Sequence, residues 1–182
     1  MRAVIWRGTL PLLRLALPIL ALFALAACTG GNTVPKSEPS FYRNLARPGA
    51  ILDDAAAASM ISGYRANNGL PAVSLDPELT RLAAAQAATM AKRDRLDHGA
   101  GKPFVARLKA SGYDAKTAAE NISAGYHTLA EAFSGWRDSP PHKANMLLKG
   151  ATRMGIAAVY TPSSKYKVYW ALILAEPEEK KG

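Results

Sequence analysis

The sequence predicts an α+β fold in which helices pack against a small antiparallel sheet. Apolar residues recur at helical spacing through the first part of the chain and alternate at strand spacing near its end. The chain has 182 residues, of which 49% are hydrophobic and 20% are charged. This length and composition suit a single globular domain without internal repeats.

The first 27 residues are expected to direct export rather than to join the fold. Three arginines precede an apolar run at residues 15–27, which has 13 residues. A helix that spans a bilayer needs about 20 residues, so this run is too short. Basic residues before a short apolar run that ends in small residues are typical of a secretion signal.

The run closes with Leu25-Ala26-Ala27-Cys28, which resembles the lipobox of bacterial lipoproteins. The resemblance implies cleavage before Cys28, acylation of this cysteine, and a protein anchored to the membrane of the cell envelope. Thr29 implies the outer membrane, facing the periplasm, if the cell is Gram-negative. A plain signal peptide is the alternative. Cys28 is the only cysteine, so no internal disulfide can form. Residues 28–50 mix Gly, Pro, Ser and charge, and are expected to form a flexible tether.

Three helices are predicted in the first half of the domain, which we expect to cover residues 51–176. The first spans residues 51–68, where apolar residues recur at helical spacing. The second begins with Asp76 as its capping residue and Pro77 at its first helical position. A short third helix is predicted over residues 103–110.

The second half combines helices with extended segments. Residues 120–126 are predicted to be extended. Thr128 and Glu131 have the spacing of a capping box, which starts the next helix. Residues 153–160 and 166–175 are predicted to form two strands joined as a hairpin.

The stretch Ser139-Pro140-Pro141-His142 predicts a helix start that orients a histidine. Because neither proline has an N–H, the first amide that the Ser139 hydroxyl can reach is that of His142. The positive end of a helix disfavours imidazolium by about 0.3–1 kcal/mol, so we expect a neutral ring near pH 7. A neutral ring suits a metal ligand or a general base. A structural histidine, bonded to a neighbouring loop, is the alternative.

Several motifs, taken in order, resemble the bacterial branch of the CAP superfamily, in particular its SCP-like lipoproteins. This superfamily includes the cysteine-rich secretory proteins, antigen 5 and the plant pathogenesis-related proteins. The resemblance covers about residues 51–175 and is carried by His98, Ala119-Glu120-Asn121-Ile122, Trp136, Ser139 to Leu147, Gly155-Ile156 and Tyr169-Trp170. It implies an α-β-α sandwich with a central cleft that holds histidines and acidic residues.

The resemblance also implies roles for individual residues. His98 and His142 match the two cleft histidines, and Glu120 matches the glutamate of the family's Glu-Asn motif. Asn121 matches a residue that supports the local backbone. Two neutral imidazoles and a carboxylate can hold zinc or another divalent cation, with an open position for water. His98 and His142 are therefore candidate metal ligands.

The chain departs from the family pattern at the fourth cleft residue. Eukaryotic members have a second glutamate at the position that Ser139 occupies here. The adjacent Asp138 could supply a carboxylate instead, provided that its side chain points into the cleft. We expect a triad, and a tetrad only if Asp138 joins it.

The charge of the chain bears on which partners it is expected to bind. Removal of the signal leaves 20 basic and 14 acidic residues, a net charge of +6. The basic residues are scattered without a nucleic-acid-binding motif, so nucleic acid is not an expected partner. Residues 177–182 form a charged tail.

We expect a monomeric, non-enzymatic module that binds a lipid, glycan or peptide in the cleft. The alternative is a metal-dependent hydrolase or peptidase that acts on envelope substrates, with Glu120 as general base and His142 as a second catalytic candidate. The chain lacks the HExxH motif, the GxSxG motif and a catalytic cysteine, which weakens this alternative.

Overall fold

Helices cover both faces of a four-stranded sheet in the computed structural model, which describes residues 38–178. The predicted signal, Cys28 and the end of the charged tail lie outside these residues. Within them, no helix is long and apolar enough to cross a membrane. The elements in chain order are a 3-10 helix at Ser40–Tyr42, α1 at Asp54–Asn67, β1 at Ser74–Leu75, α2 at Pro77–Arg93, α3 at Phe104–Ala110, β2 at Ala115–Ala124, α4 at Leu129–Asp138, α5 at Pro140–Met146, β3 at Arg153–Tyr160 and β4 at Val168–Pro177.

The sheet has the strand order β1-β3-β4-β2. The predicted hairpin is confirmed, since β3 and β4 pair in antiparallel fashion, and β2 pairs antiparallel with the other side of β4. The short strand β1 was not predicted, and it runs parallel to β3. The central strand β4 is buried along residues 168–175, whereas β2 lies at an edge of the sheet.

The side chains of β4 alternate between two apolar cores, one on each face of the sheet. Trp170 and Leu172 belong to the core beneath α1, α4 and α5, where Trp170 contacts Trp136 edge-on at 6.4 Å between ring centroids. Tyr169 and Ile173 belong to the core beneath α2 and α3. This arrangement confirms the α+β class and the α-β-α sandwich.

The folded domain begins before residue 51. Residues 40–42 form a helical turn, and Leu45, which was expected to lie in the tether, is buried in the core. Its N–H donates to the backbone carbonyl of His127 at 2.7 Å. The apolar residues of this stretch, among them Phe41 and Leu45, do not recur at a helical or a strand period, so the sequence did not predict this contact.

A buried arginine links α1 to the end of α5 and to the segment that follows it. Arg65 is fully buried, and its guanidinium donates to four backbone carbonyls at 2.9–3.0 Å. Three of them belong to Met146, Leu148 and Ala151, and the fourth to Pro71. The contacts replace the water that a buried cation loses. They fix the C-terminal end of the short helix that carries His142.

Candidate ligand-binding cleft

Glu120 is the buried centre of the predicted site. It lies on β2, and its side chain is 1% exposed. Arg107 Nη2 on α3 donates to one carboxylate oxygen at 2.6 Å, and His98 Nδ1 lies 2.9 Å from the other. A buried carboxylate requires such partners because it has lost its water. With both oxygens engaged, Glu120 is placed to position His98.

His98 lies beyond the end of α2, in a loop that Gln86 holds by donating to the carbonyl of Asp97 at 2.8 Å. The ring is 54% exposed. Because the carboxylate of Glu120 accepts, Nδ1 is the donor of this hydrogen bond, and Nε2 is the ring nitrogen available to a ligand.

His142 lies in the first turn of α5, which an amide network ties to β2. The side chain of Asn121 donates to the carbonyl of His142 at 2.9 Å. Asn145 in turn donates to Asn121 Oδ1 at 2.9 Å and to the carbonyl of Glu120 at 3.1 Å. Asn121 therefore supports the backbone of α5 at His142, and together with Asn145 it ties this helix to β2.

The ring of His142 is held in its neutral form by its surroundings. Burial lowers the pKa of His142 below its ordinary value of 6.5, and repulsion from His98 lowers it further. The sequence predicted neutrality from the helix terminus alone, whereas burial is the larger cause. The effect of His98 also connects the two histidines electrostatically, although 44 positions separate them in the sequence.

The predicted hydrogen bond from the amide of His142 to the Ser139 hydroxyl does not form. Ser139 occupies the N-cap position of α5, but its side chain accepts no capping hydrogen bond. The same residue ends α4, and its extended backbone makes the turn between two helices that follow one another directly. Its carbonyl accepts from Lys143 N at 2.8 Å, so the backbone alone starts the helix.

Asp138 does not join the other cleft residues. Its carboxylate accepts two hydrogen bonds from Arg137, at 2.8 and 3.0 Å, and its side chain is 65% exposed. The pairing with Arg137 lowers the pKa of Asp138. The structure therefore brings together His98, Glu120 and His142, with Asp138 pointing elsewhere.

A cavity of ≈ 240 Å³ opens beside His142. Its lining is mostly apolar and includes Leu96, Ile122, Ser123, Ala124, Tyr126, Gly135, Trp136, Ser139 and His142. Two larger cavities, of ≈ 510 and ≈ 590 Å³, lie away from the histidines, one beside Tyr113 and one beside Phe41. The size of a cavity alone would not identify the functional site. The polar groups that converge beside this smaller cavity identify it.

The arrangement fits a metal less well than the sequence suggested. In the described part of the chain, no group of three or more His, Cys, Asp and Glu side chains is placed to hold a metal ion. The physical reason is that Glu120 is committed to Arg107 and His98. A divalent cation would therefore have only the two imidazoles as ligands, whereas zinc sites ordinarily use three or four protein ligands.

Arg107 is the site residue that the sequence did not predict. It lies on α3, and its cation stays buried because it meets Glu120 on β2. No linear pattern predicts this pairing, since the two residues belong to different elements. Asn145 could have been identified, because a position three residues after His142 falls on the same side of a helix.

Comparisons with known proteins agree with this architecture. A family model described as the cysteine-rich secretory protein family, CAP, matches residues 58–174. The uncharacterized protein YkwD of Bacillus subtilis (strain 168) is 32% identical over 107 residues, which are 57% of this chain and 41% of that protein. The chain thus spans about two fifths of the length of this curated relative.

Two solved structures share the fold. An extracellular protein of Bacillus anthracis that contains an SCP domain has a TM-score of 0.58 and 20% identity, covering 66% of this chain and 39% of its own. An outer surface protein of Borrelia burgdorferi has a TM-score of 0.63 and 17% identity, covering 69% of this chain and 93% of its own. At these identities the likeness concerns the fold.

Proposed function

Because the chain belongs to the cysteine-rich secretory protein (CAP) family, we propose that it binds a ligand in the cleft of His98, Glu120 and His142 and catalyses no reaction there. The observation that carries this proposal is the state of Glu120. A general base must reach the proton that it removes at about 2.6–3.2 Å. Both oxygens of Glu120 are already engaged, and its side chain is buried.

The cleft retains groups that suit binding. His98 offers Nε2, His142 offers a neutral ring, and a mostly apolar cavity opens beside His142. A pocket with apolar walls and a few convergent polar groups is typical of a site for a small molecule or a short segment of a larger one. Lipid, glycan and peptide are the ligand classes to be compared.

We further propose that the protein is exported and is held at a bacterial cell envelope by acyl chains on Cys28. The signal pattern and the lipobox-like Leu25-Ala26-Ala27-Cys28 support this location. Two similar structures come from proteins described as extracellular and as an outer surface protein. Two or three acyl chains, at about 0.8 kcal/mol per buried methylene, would hold the domain firmly. Absence of lipid mass on Cys28 in membrane-extracted protein would contradict the anchor.

An activity assay tests the proposal that the cleft catalyses no hydrolysis. The purified full chain is incubated with a broad panel of peptides and with peptidoglycan, beside His142→Ala, whose folding is verified by circular dichroism. Binding without catalysis predicts no product from either protein. Product from the wild type that disappears in folded His142→Ala would overturn the proposal and establish the hydrolase.

A zinc titration by calorimetry tests whether the histidine pair holds a metal. If it does, His98→Ala loses the heat that the wild type releases at neutral pH. No heat in either protein, or equal heat in both, would contradict a metal at the histidine pair. The proposal that the cleft binds a ligand would not be affected. Either outcome is informative because the protein would supply two imidazole ligands to the metal, and His98→Ala removes one of them.

A further inference from the structure

We propose that the ligand of this cleft is an extended peptide segment that pairs with the free edge of β2 at Ile122 and Ala124. The proposal, which rests on the proposed binding function, adds the chemical class of the ligand and the way in which it docks. It follows from the pairing of β2, from two unpartnered donors and from the position of the cavity.

The orientation of the β2 backbone is fixed at two points. Gly125 N donates to the carbonyl of Val168 at 3.0 Å, so the backbone at Gly125 faces the central strand. The carbonyl of Glu120 accepts from Asn145 on α5, so the backbone at Glu120 faces the opposite way. Backbone direction alternates along an antiparallel strand. The N–H and C=O groups of Ile122 and Ala124 therefore point away from β4.

The cavity lies where this outer edge is not covered by α5. No other strand pairs with the outer side of β2 among residues 38–178. Asn145 on α5 closes the edge at Glu120, and beyond it Ile122, Ser123 and Ala124 line the cavity together with His142. An open strand edge is a template for another strand. At ≈ 240 Å³, the cavity admits a short segment only.

Two donors in the cavity lining have no partner in the described chain. They are Ser123 Oγ and Trp136 Nε1, on residues that are 7% and 1% exposed. A buried donor without an acceptor destabilises the folded protein, so most proteins avoid it. Rotation of the Ser123 hydroxyl toward the cavity would let it donate to a carbonyl oxygen of a bound segment.

These features favour a peptide over the other ligand classes. Ile122 and Ala124 repeat at about 6.6 Å along the strand, which is also the two-residue repeat of an extended peptide. A peptide presents an N–H and a C=O at every repeat, whereas an acyl chain presents neither. Glycan hydroxyls can bond the donors but do not follow the strand repeat. Strand addition is a common mode of peptide recognition.

The first experiment uses the full chain with Cys28→Ser, labelled with ¹⁵N, and three probes: a library of capped tetrapeptides, a tetramer of N-acetylglucosamine, and palmitate. We expect members of the peptide library to shift the amide signals of Ile122 and Ala124 and to slow their hydrogen exchange. N-methylation of such a peptide at one alternating set of residues should weaken binding about tenfold, since it removes hydrogen bonds to β2. Methylation of the other set should leave binding within about twofold.

The outcomes separate this inference from the proposed function. Equal weakening by both methylation patterns would overturn pairing with the strand edge. Shifts at the cavity with the glycan or palmitate, and with no peptide, would overturn the peptide while retaining a binding cleft. No shift with any probe would contradict both proposals.

A pair of proline variants tests the edge itself. Ala124→Pro removes an N–H that faces the cavity and leaves the hydrogen bonds to β4 in place. Ala118→Pro is the matched control, because Ala118 has the same orientation on β2 but does not line the cavity. With folding verified by the melting temperature, peptide affinity should fall about tenfold in Ala124→Pro and change less than about twofold in Ala118→Pro.

Ser123→Ala provides a second test that does not depend on proline tolerance. Removal of an unpartnered buried hydroxyl should leave the stability of the free protein unchanged or raised, while peptide affinity falls about threefold to tenfold. If Ser123 had only a structural role, its replacement would not lower peptide affinity while leaving the stability of the free protein unchanged or raised. Unchanged peptide affinity in Ser123→Ala and in folded Ala124→Pro would overturn the proposal.

Discussion

At the scale of single residues, the charge of His142 depends on its burial and on its neighbour His98. Both lower its pKa below the ordinary 6.5, so the folded state binds a proton less readily than the unfolded chain. The stability linked to this residue is present above pH 6.5 and is lost as the pH falls through the lowered pKa of the folded state.

We therefore predict that an NMR titration of the His142 ring, in buffer with chelator, gives a pKa below 6.5. Urea denaturation should show stability falling as the pH is lowered from 7.5 to 5. His142→Gln is the control, and its stability should depend less on pH over this range. A His142 pKa at or above 6.5 would contradict the proposed role of burial.

Arg65 shows how one residue can hold two distant segments. Arg65→Met would remove four hydrogen bonds to backbone carbonyls, two of them buried, and each buried group left unsatisfied costs about 1–3 kcal/mol. Some of these carbonyls can recruit water, so we predict a net loss of about 3–5 kcal/mol in the free energy of unfolding.

The measurement is urea denaturation, with Arg81→Met as the matched control. Arg81 lies on the exposed side of α2 and pairs with Glu78, three residues earlier in the sequence. A surface pair of this kind contributes about 0–1 kcal/mol. Similar losses in the two variants would show that the buried contacts of Arg65 contribute little.

At the scale of elements, two helix starts that look alike in sequence differ in how they are capped. At α4, Thr128 and Glu131 form the complete predicted capping box. At α5, Ser139 makes no such hydrogen bond. We predict that Thr128→Ala costs about 0.5–2 kcal/mol of stability and that Ser139→Ala stays within about 0.5 kcal/mol of the wild type. Thermal unfolding of both variants measures the difference, and an equal cost would indicate that Ser139 caps α5 in solution.

The contrast explains which elements could be predicted from the sequence. The start of α2 at Asp76 and the start of α4 depend on residues within one helical turn, so local patterns suffice. Ser139 has the right local pattern, but it also ends α4, and a residue shared by two helices follows the geometry of both. Strand β1 has two residues and exists only through its pairing with β3, so no periodic pattern could indicate it.

At the scale of the whole molecule, the cleft forms where three layers meet. His98 follows a helix on one face of the sheet, Glu120 lies on the edge strand, and His142 begins a helix on the other face. Periodicity predicted the helices and strands, and the family resemblance implied their layers and these three residues. It could not predict that Arg107 engages the carboxylate or that Asp138 turns away, because each contact depends on how separate elements pack.

The close approach of α2 to β3 is what keeps one of these layers in place, and it depends on Gly155. A Cβ at this position would overlap the backbone of Leu79 and Thr80 on α2, and backbone cannot move aside as a flexible side chain can. Since α2 leads into the loop of His98, we predict that Gly155→Ala displaces the helix and costs about 3 kcal/mol of stability. Gly63→Ala is the matched control: Gly63 lies inside α1 with open space around it, and the same change there should stabilise the protein by about 0.5–1 kcal/mol. Thermal unfolding should therefore give melting temperatures that move in opposite directions, and the NMR signals of the His98 ring should shift in Gly155→Ala alone. An unaltered melting temperature in Gly155→Ala would mean that the helix can retreat from the sheet without loss, and that the position of His98 does not depend on this contact.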